Sequence, residues 1–158
     1  MLGEKSIWEL PKTAFLSSDK FSAGSVLKSY DWAGDMKRQD RCVMSGFHSK
    51  LERDVLELLL NGSSPIVWVL ARGILDRASV ELREHVASGR LLIVSPFDIA
   101  IKRPNRTLAF ERNQFVVDNA DEIVFAHIHA GGMLERVAVS ESKAVRVLDS
   151  ENTAKCEG

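Results

Sequence analysis

Six apolar runs punctuate the chain: Thr13 to Leu16, Cys42 to Met44, Ile66 to Leu70, Leu91 to Val94, Ile123 to Ala126 and Val145 to Leu148. None alternates strictly with polar residues, which predicts strands covered on both faces, as in a parallel sheet. The segments between them carry helical spacing. Leu51, Val55, Leu58 and Leu59 fall on one helical stripe that stops at Asn61-Gly62, and Ser49 with Glu52 three residues on forms a capping box at its start. Further helices are predicted over 24–37, where Gly34 is a weak point, over 80–88 between a Ser79 cap and Gly89, over 105–120 behind Pro104, and over 132–142. Strands alternating with helices predict an α/β fold, a doubly wound, mainly parallel sheet with right-handed crossovers and helices on both faces. Residues 1–11 read as a loosely attached N-terminal arm, 12–149 as the single domain and 150–158 as a flexible C-terminal tail.

Composition narrows the function. A chain of 158 residues buries one core without help from disulfides or metals. With 21 Lys plus Arg against 22 Asp plus Glu there is no global basic field, so any nucleic-acid contact must come from a local patch. The opening MLGEKSIWELPK breaks any signal-like apolar stretch, and no run reaches membrane-spanning length, so the expected location is cytoplasmic. Cys42 falls in a strand and Cys156 in a polar tail, a poor pair for a bridge.

In such a sheet ligands bind beyond the carboxyl ends of the strands. The segments there are rich in small, hydroxyl and glycine residues: Ser17 to Asp19, Ser45 to Ser49, Ala71 to Gly73, Ser95 to Phe97 and His127 to Gly132. The capped helix behind Ser45-Gly46 offers free main-chain N–H groups to an anion, and Gly131-Gly132 repeats the device ahead of Glu135. Arg112 shares a sheet-facing stripe with Leu108 and Phe115. It is either neutralised by a carboxylate such as Asp98 or Asp118 or points into the pocket to meet a ligand anion. His48 is a candidate hydrogen-bond donor or base. His127 and His129 share a direction in extended chain, but no further ligand completes a metal set, and neither a metal nor a cofactor is expected. There is no nucleophile elbow, P-loop or dinucleotide fingerprint. Lys102, Arg103 and Arg106 form the one basic run.

Ser45-Gly46 at a strand end, Ala71-Arg72-Gly73 after the third run, Ser95-Pro96 after the fourth and Arg112-Asn113 before the fifth occur in the order seen in the DNA-processing family DprA, or Smf. Residues 12–149 resemble the Rossmann-like core of that family and of the superfamily joining it to the LOG proteins. Phe47-His48-Ser49 and Gln114 depart from the DprA pattern, and Ala138 stands where the LOG pattern has its glutamate. The resemblance implies a stand-alone, non-catalytic domain that binds a nucleotide or a single-stranded DNA phosphate, linked to DNA processing. The expected ligand-binding residues are Ser17, Ser45, Gly46, His48, Ser49, Arg72, Ser95, Arg112, Asn113, Gly131, Gly132 and Glu135. The alternative is a LOG-like enzyme cleaving a nucleotide N-glycosidic bond, with Glu135 as acid/base and Arg112 holding the phosphate. A third reading is a homodimeric scaffold with a vestigial cleft.

Overall fold

In a computed structural model that describes residues 1–39, 41–74 and 79–149, apart from the Glu81 side chain, each apolar run is a strand. They are β1 (Lys12–Leu16), β2 (Cys42–Ser45), β3 (Ile66–Val69), β4 (Leu91–Val94), β5 (Glu122–Phe125) and β6 (Ala144–Val147). All pair in parallel in the order β4-β3-β2-β1-β5-β6. The α-helices are α1 (Ala23–Arg38), α2 (Lys50–Leu60), α3 (Val80–Ala87) and α4 (Arg106–Asn119). Strands 1 to 4 step outward in one direction, and the chain then returns through α4 to start β5 on the other side of β1. Right-handed crossovers therefore place α1 to α3 on one face and α4 on the other. This is a single Rossmann-like α/β domain.

Alternation within β1 to β5 feeds two cores. Phe15, Val43, Ile66, Leu91 and Val124 face α1, α2 and α3, where Phe15 stacks on Trp32 with ring centroids 4.9 Å apart. Leu16, Met44, Val67, Leu92 and Phe125 face α4, whose Val116 and Val117 are fully buried. Gly34 lies mid-helix in α1 with open space around it and does not interrupt the helix. Ser79 occupies the N-cap position of α3 but makes no side-chain capping bond.

Three expectations require correction. Residues 1–11 are not a loose arm: Leu2 bridges Ile93 antiparallel at the β4 edge, Lys5–Glu9 forms a 3-10 helix, and Ile7 joins the α4-side core. The Lys12 ammonium locks this segment by donating to the carbonyls of Trp8 (2.6 Å) and Leu10 (3.0 Å). The predicted helix over 132–142 is only a 3-10 turn, Leu134–Arg136. The Gln114 amide holds the segment beyond it extended, donating to the Ala138 carbonyl (2.8 Å) and accepting the Ala138 N–H (3.0 Å), as a neighbouring strand would. Without a helix over it, β6 is not covered on both faces; Val145 and Val147 are 49% and 40% exposed. The 150–158 tail lies outside the described residues.

Candidate functional site

β1 and β5 are neighbours whose outgoing connections run in opposite directions, so the loops behind them part and leave a crevice. Ser18 ties the two loops together, donating its N–H to the His127 carbonyl (3.1 Å) and accepting the His129 N–H on its Oγ (2.9 Å). The crevice opens into a cleft of about 710 Å³, also walled by the start of α2 and the first turns of α4.

Glu52 organises its floor. The Ser49–Glu52 capping box forms as the sequence predicts, and the carboxylate extends beyond it. Oε1 accepts the N–H of His48 (2.9 Å) and Ser49 (3.3 Å), while Oε2 accepts the N–H of Ser17 (2.9 Å) from the β1 loop. The main-chain donors that a sequence reading offers to a ligand anion are thus held by a carboxylate of the protein itself. Gly131 repeats the arrangement on a smaller scale. It adopts φ +77°, and its N–H donates to Glu135 Oε2 (2.9 Å).

The buried cation in this lining is Arg112. α4 buries its Arg112, Asn113, Val116 and Val117 face, leaving Arg112 5% exposed at the cleft wall. Its side chain lies across Gly46, where an added Cβ would stand 2.5 Å from Cζ and Nε. Nε donates to Asn113 Oδ1 (2.9 Å), and among the described residues the guanidinium makes no ion pair. Of the two carboxylates proposed to neutralise it, Asp118 accepts from Gln114 and Asp98 from the Ala100 N–H. Burial lowers the Arg112 pKa, and the charges of Glu52 and Asp19 act in the opposite direction. An arginine desolvated without an ion-pair partner is costly unless something supplies the missing charge.

The turn beneath Arg112 is strained. Phe47 is a non-glycine residue at φ 45°, held by its N–H to Ser45 Oγ (3.1 Å) and by edge-on packing against Trp68, whose Nε1 donates to the Gly46 carbonyl (2.9 Å). Such backbone persists only where its surroundings over-determine it.

Seven of the twelve expected binding residues line the cleft: Ser17, His48, Ser49, Arg112, Asn113, Gly131 and Gly132. The other five do not. Ser45 and Gly46 lie beneath it, the first capping Phe47 and the second making room for Arg112. Arg72 donates to the adjacent Gly73 carbonyl (3.1 Å), and Ser95 donates to the Arg72 carbonyl (2.6 Å). Their strands, β3 and β4, are two and three places from β1, or roughly 10 and 14 Å at ordinary strand spacing. Glu135 folds back on Gly131, away from the cleft lining. The two histidines do not share a site. His127 is buried against Asp149 (3.2 Å), which also accepts from Ser22 (2.6 Å) and Ser25 (3.0 Å), while His129 lines the cleft. Of the basic run only Arg106 reaches the cleft, and neither Phe97 nor Trp68 does. Sequence reasoning missed Glu52 as a site residue. Its signal was the capping box, which looks local until Ser17 arrives from 35 positions earlier.

No family model matches the sequence, and no curated protein matches it. Solved structures do match. DNA processing protein A from Streptococcus pneumoniae superposes with a TM-score of 0.73 at 14% identity, over 99% of this chain and 60% of that one. The Helicobacter pylori protein of the same name, described for its single-stranded DNA binding mode, gives 0.61 at 14% identity over 78% and 57%. A molybdenum cofactor binding protein from Rippkaea orientalis gives 0.61 at 11% identity over 94% and 82%. A parallel sheet with a cleft at its switch point is the architecture of the Rossmann-like class. Within that class this chain has a DprA-like fold, and it spans less than two thirds of either DNA processing protein.

Proposed function

We propose that the cleft binds a phosphate-bearing ligand, either a nucleotide or a phosphate of single-stranded nucleic acid, in a role linked to DNA processing. One observation carries this reading: Arg112, 5% exposed and without an ion pair among the described residues, forms part of the cleft wall. A planar guanidinium offers an incoming phosphate two parallel N–H bonds, a direct pairing that the more distant charges of Glu52 and Asp19 do not give it. The DprA-like fold adds support, since DNA processing protein A of Helicobacter pylori is described for its single-stranded DNA binding. Cleavage of an N-glycosidic bond has less support, because its intended acid/base, Glu135, lies outside the cleft lining with its carboxylate on the Gly131 N–H.

The test is phosphorus NMR of inorganic pyrophosphate titrated with the protein and with the Arg112→Met variant. Line broadening with the parent protein that vanishes in the variant is the expected result. Equal broadening in both, or none in either, overturns the assignment.

A further inference from the structure

The cleft does more than require an anion; it limits what can carry one. Among the described residues its charged lining is Lys20, Arg106 and Arg112 against Asp19 and Glu52, a balance of three cations to two carboxylates. A nucleic-acid strand presents a row of phosphates and is held by a continuous basic track. Here one cation is buried deep, Lys20 and Arg106 are exposed, and Lys102 and Arg103 lie outside the lining.

Strand binding also needs flat rings on which successive bases stack. Among the described residues no Phe, Tyr or Trp lines the cleft; its apolar wall is Ala71, Pro104, Ala109, Ala130, Met133 and Leu134. The main-chain donors that could follow a phosphodiester backbone are taken as well, at His48, Ser49 and Ser17 by Glu52 and at Gly131 by Glu135. Among the described residues the one buried cation of the lining is the Arg112 fork beside Asn113, in a volume of about 710 Å³ that lies within the range of small-ligand sites.

We infer that the occupant is a small phosphomonoester of about mononucleotide size that inserts its terminal phosphate end-on toward Arg112, and that the cleft does not take the internal phosphates of a polynucleotide. This rests on the anion reading above and narrows it. A terminal phosphate can reach a buried guanidinium because only one ester bond restrains it. An internal phosphodiester would have to bring both flanking sugars down to the same depth. Lys20 and Arg106, exposed in the same lining, add longer-range attraction for the dianion as it enters.

Thermal shift and calorimetry with three probes decide it: a nucleoside, the same nucleoside 5′-monophosphate, and an oligothymidylate without terminal phosphates. Each is run on the parent protein, on Arg112→Met and on Arg112→Lys, so that a variant that folds poorly does not leave the comparison empty. The monophosphate should raise the melting temperature of the parent protein, and the nucleoside and oligothymidylate should not. Its affinity should fall about tenfold to a hundredfold in Arg112→Met and be recovered only partly in Arg112→Lys. Arg112-dependent binding of the oligothymidylate without binding of the monophosphate would overturn this inference and leave the anion reading standing. If neither phosphate probe binds, both fall together.

Discussion

A Cβ on Gly46 would stand 2.5 Å from the guanidinium carbon of Arg112, so the absence of a side chain at one residue lets another cross the β2–α2 turn. The glycine is not there for its backbone freedom, since Phe47 next to it carries the positive φ. Gly46→Ala should therefore cost about 1–3 kcal/mol through overpacking and abolish anion-dependent stabilisation by displacing Arg112. In an Arg112→Ala background the same change should cost much less. Denaturant melts of the single and double variants give the coupling directly; additive costs would mean that the crossing is not what Gly46 permits.

Arg112→Met keeps much of the side-chain length and removes the charge. Because that charge is desolvated and has no ion pair among the described residues, the ligand-free variant should melt no lower than the parent protein. The phosphate response should nevertheless be lost. A sharp drop in ligand-free melting temperature would show that Arg112 holds the fold together, and the binding assignment would fail.

The strands were legible because burial on both faces removes the need for polar alternation, and the runs at Thr13, Leu91 and Ile123 mark β1, β4 and β5 within a residue. Arg112 was legible as a buried position from its spacing to Leu108 and Phe115. That it makes no ion pair among the described residues was not, since that depends on where Asp98 and Asp118 spend their own bonds. The helix over 132–142 failed for a tertiary reason: Gln114, on another element, satisfies the Ala138 backbone in extended form. The anion-ready N–H groups after Gly46 and Gly131 were misread because a glutamate four residues downstream takes the His48 N–H in one turn and the Gly131 N–H in the other.

Glu52→Ala should destabilise the protein by about 2–4 kcal/mol, since it leaves the N–H groups of Ser17, His48 and Ser49 short of a charged acceptor. Glu52→Gln retains acceptor capacity on one atom and should fall between the two. Urea melts at neutral pH measure both. A Glu52→Ala protein as stable as its parent would contradict the structural role given to this carboxylate.

Lys102→Glu with Arg103→Glu should leave monophosphate affinity unchanged within about twofold, because both side chains lie outside the cleft lining and exposed charges are screened beyond roughly a Debye length. Calorimetry at moderate salt checks this. A tenfold loss would move the binding site onto the basic loop.

Burial pushes the Cys42 thiol up from 9.0 to about 12, against the opposing charge of Lys12. A folded-state value above the unfolded one means stability that is complete below about pH 9 and is lost as pH rises toward 12. Cys42→Ala should flatten that alkaline decline. In a Cys156→Ser protein the remaining thiol should react with a disulfide reagent only at the rate of unfolding. Fast labelling under native conditions would show that Cys42 is accessible after all.

Glu52 has a kinetic consequence. One carboxylate fastens the β1 loop to the first turn of α2, so the cleft floor has its shape before any ligand arrives. Ligand capture then requires no ordering of either loop, and association should be a single fast phase whose rate rises linearly with ligand concentration. If Arg112 holds the ligand as proposed, selectivity is exerted on the way out, through how long that guanidinium retains it.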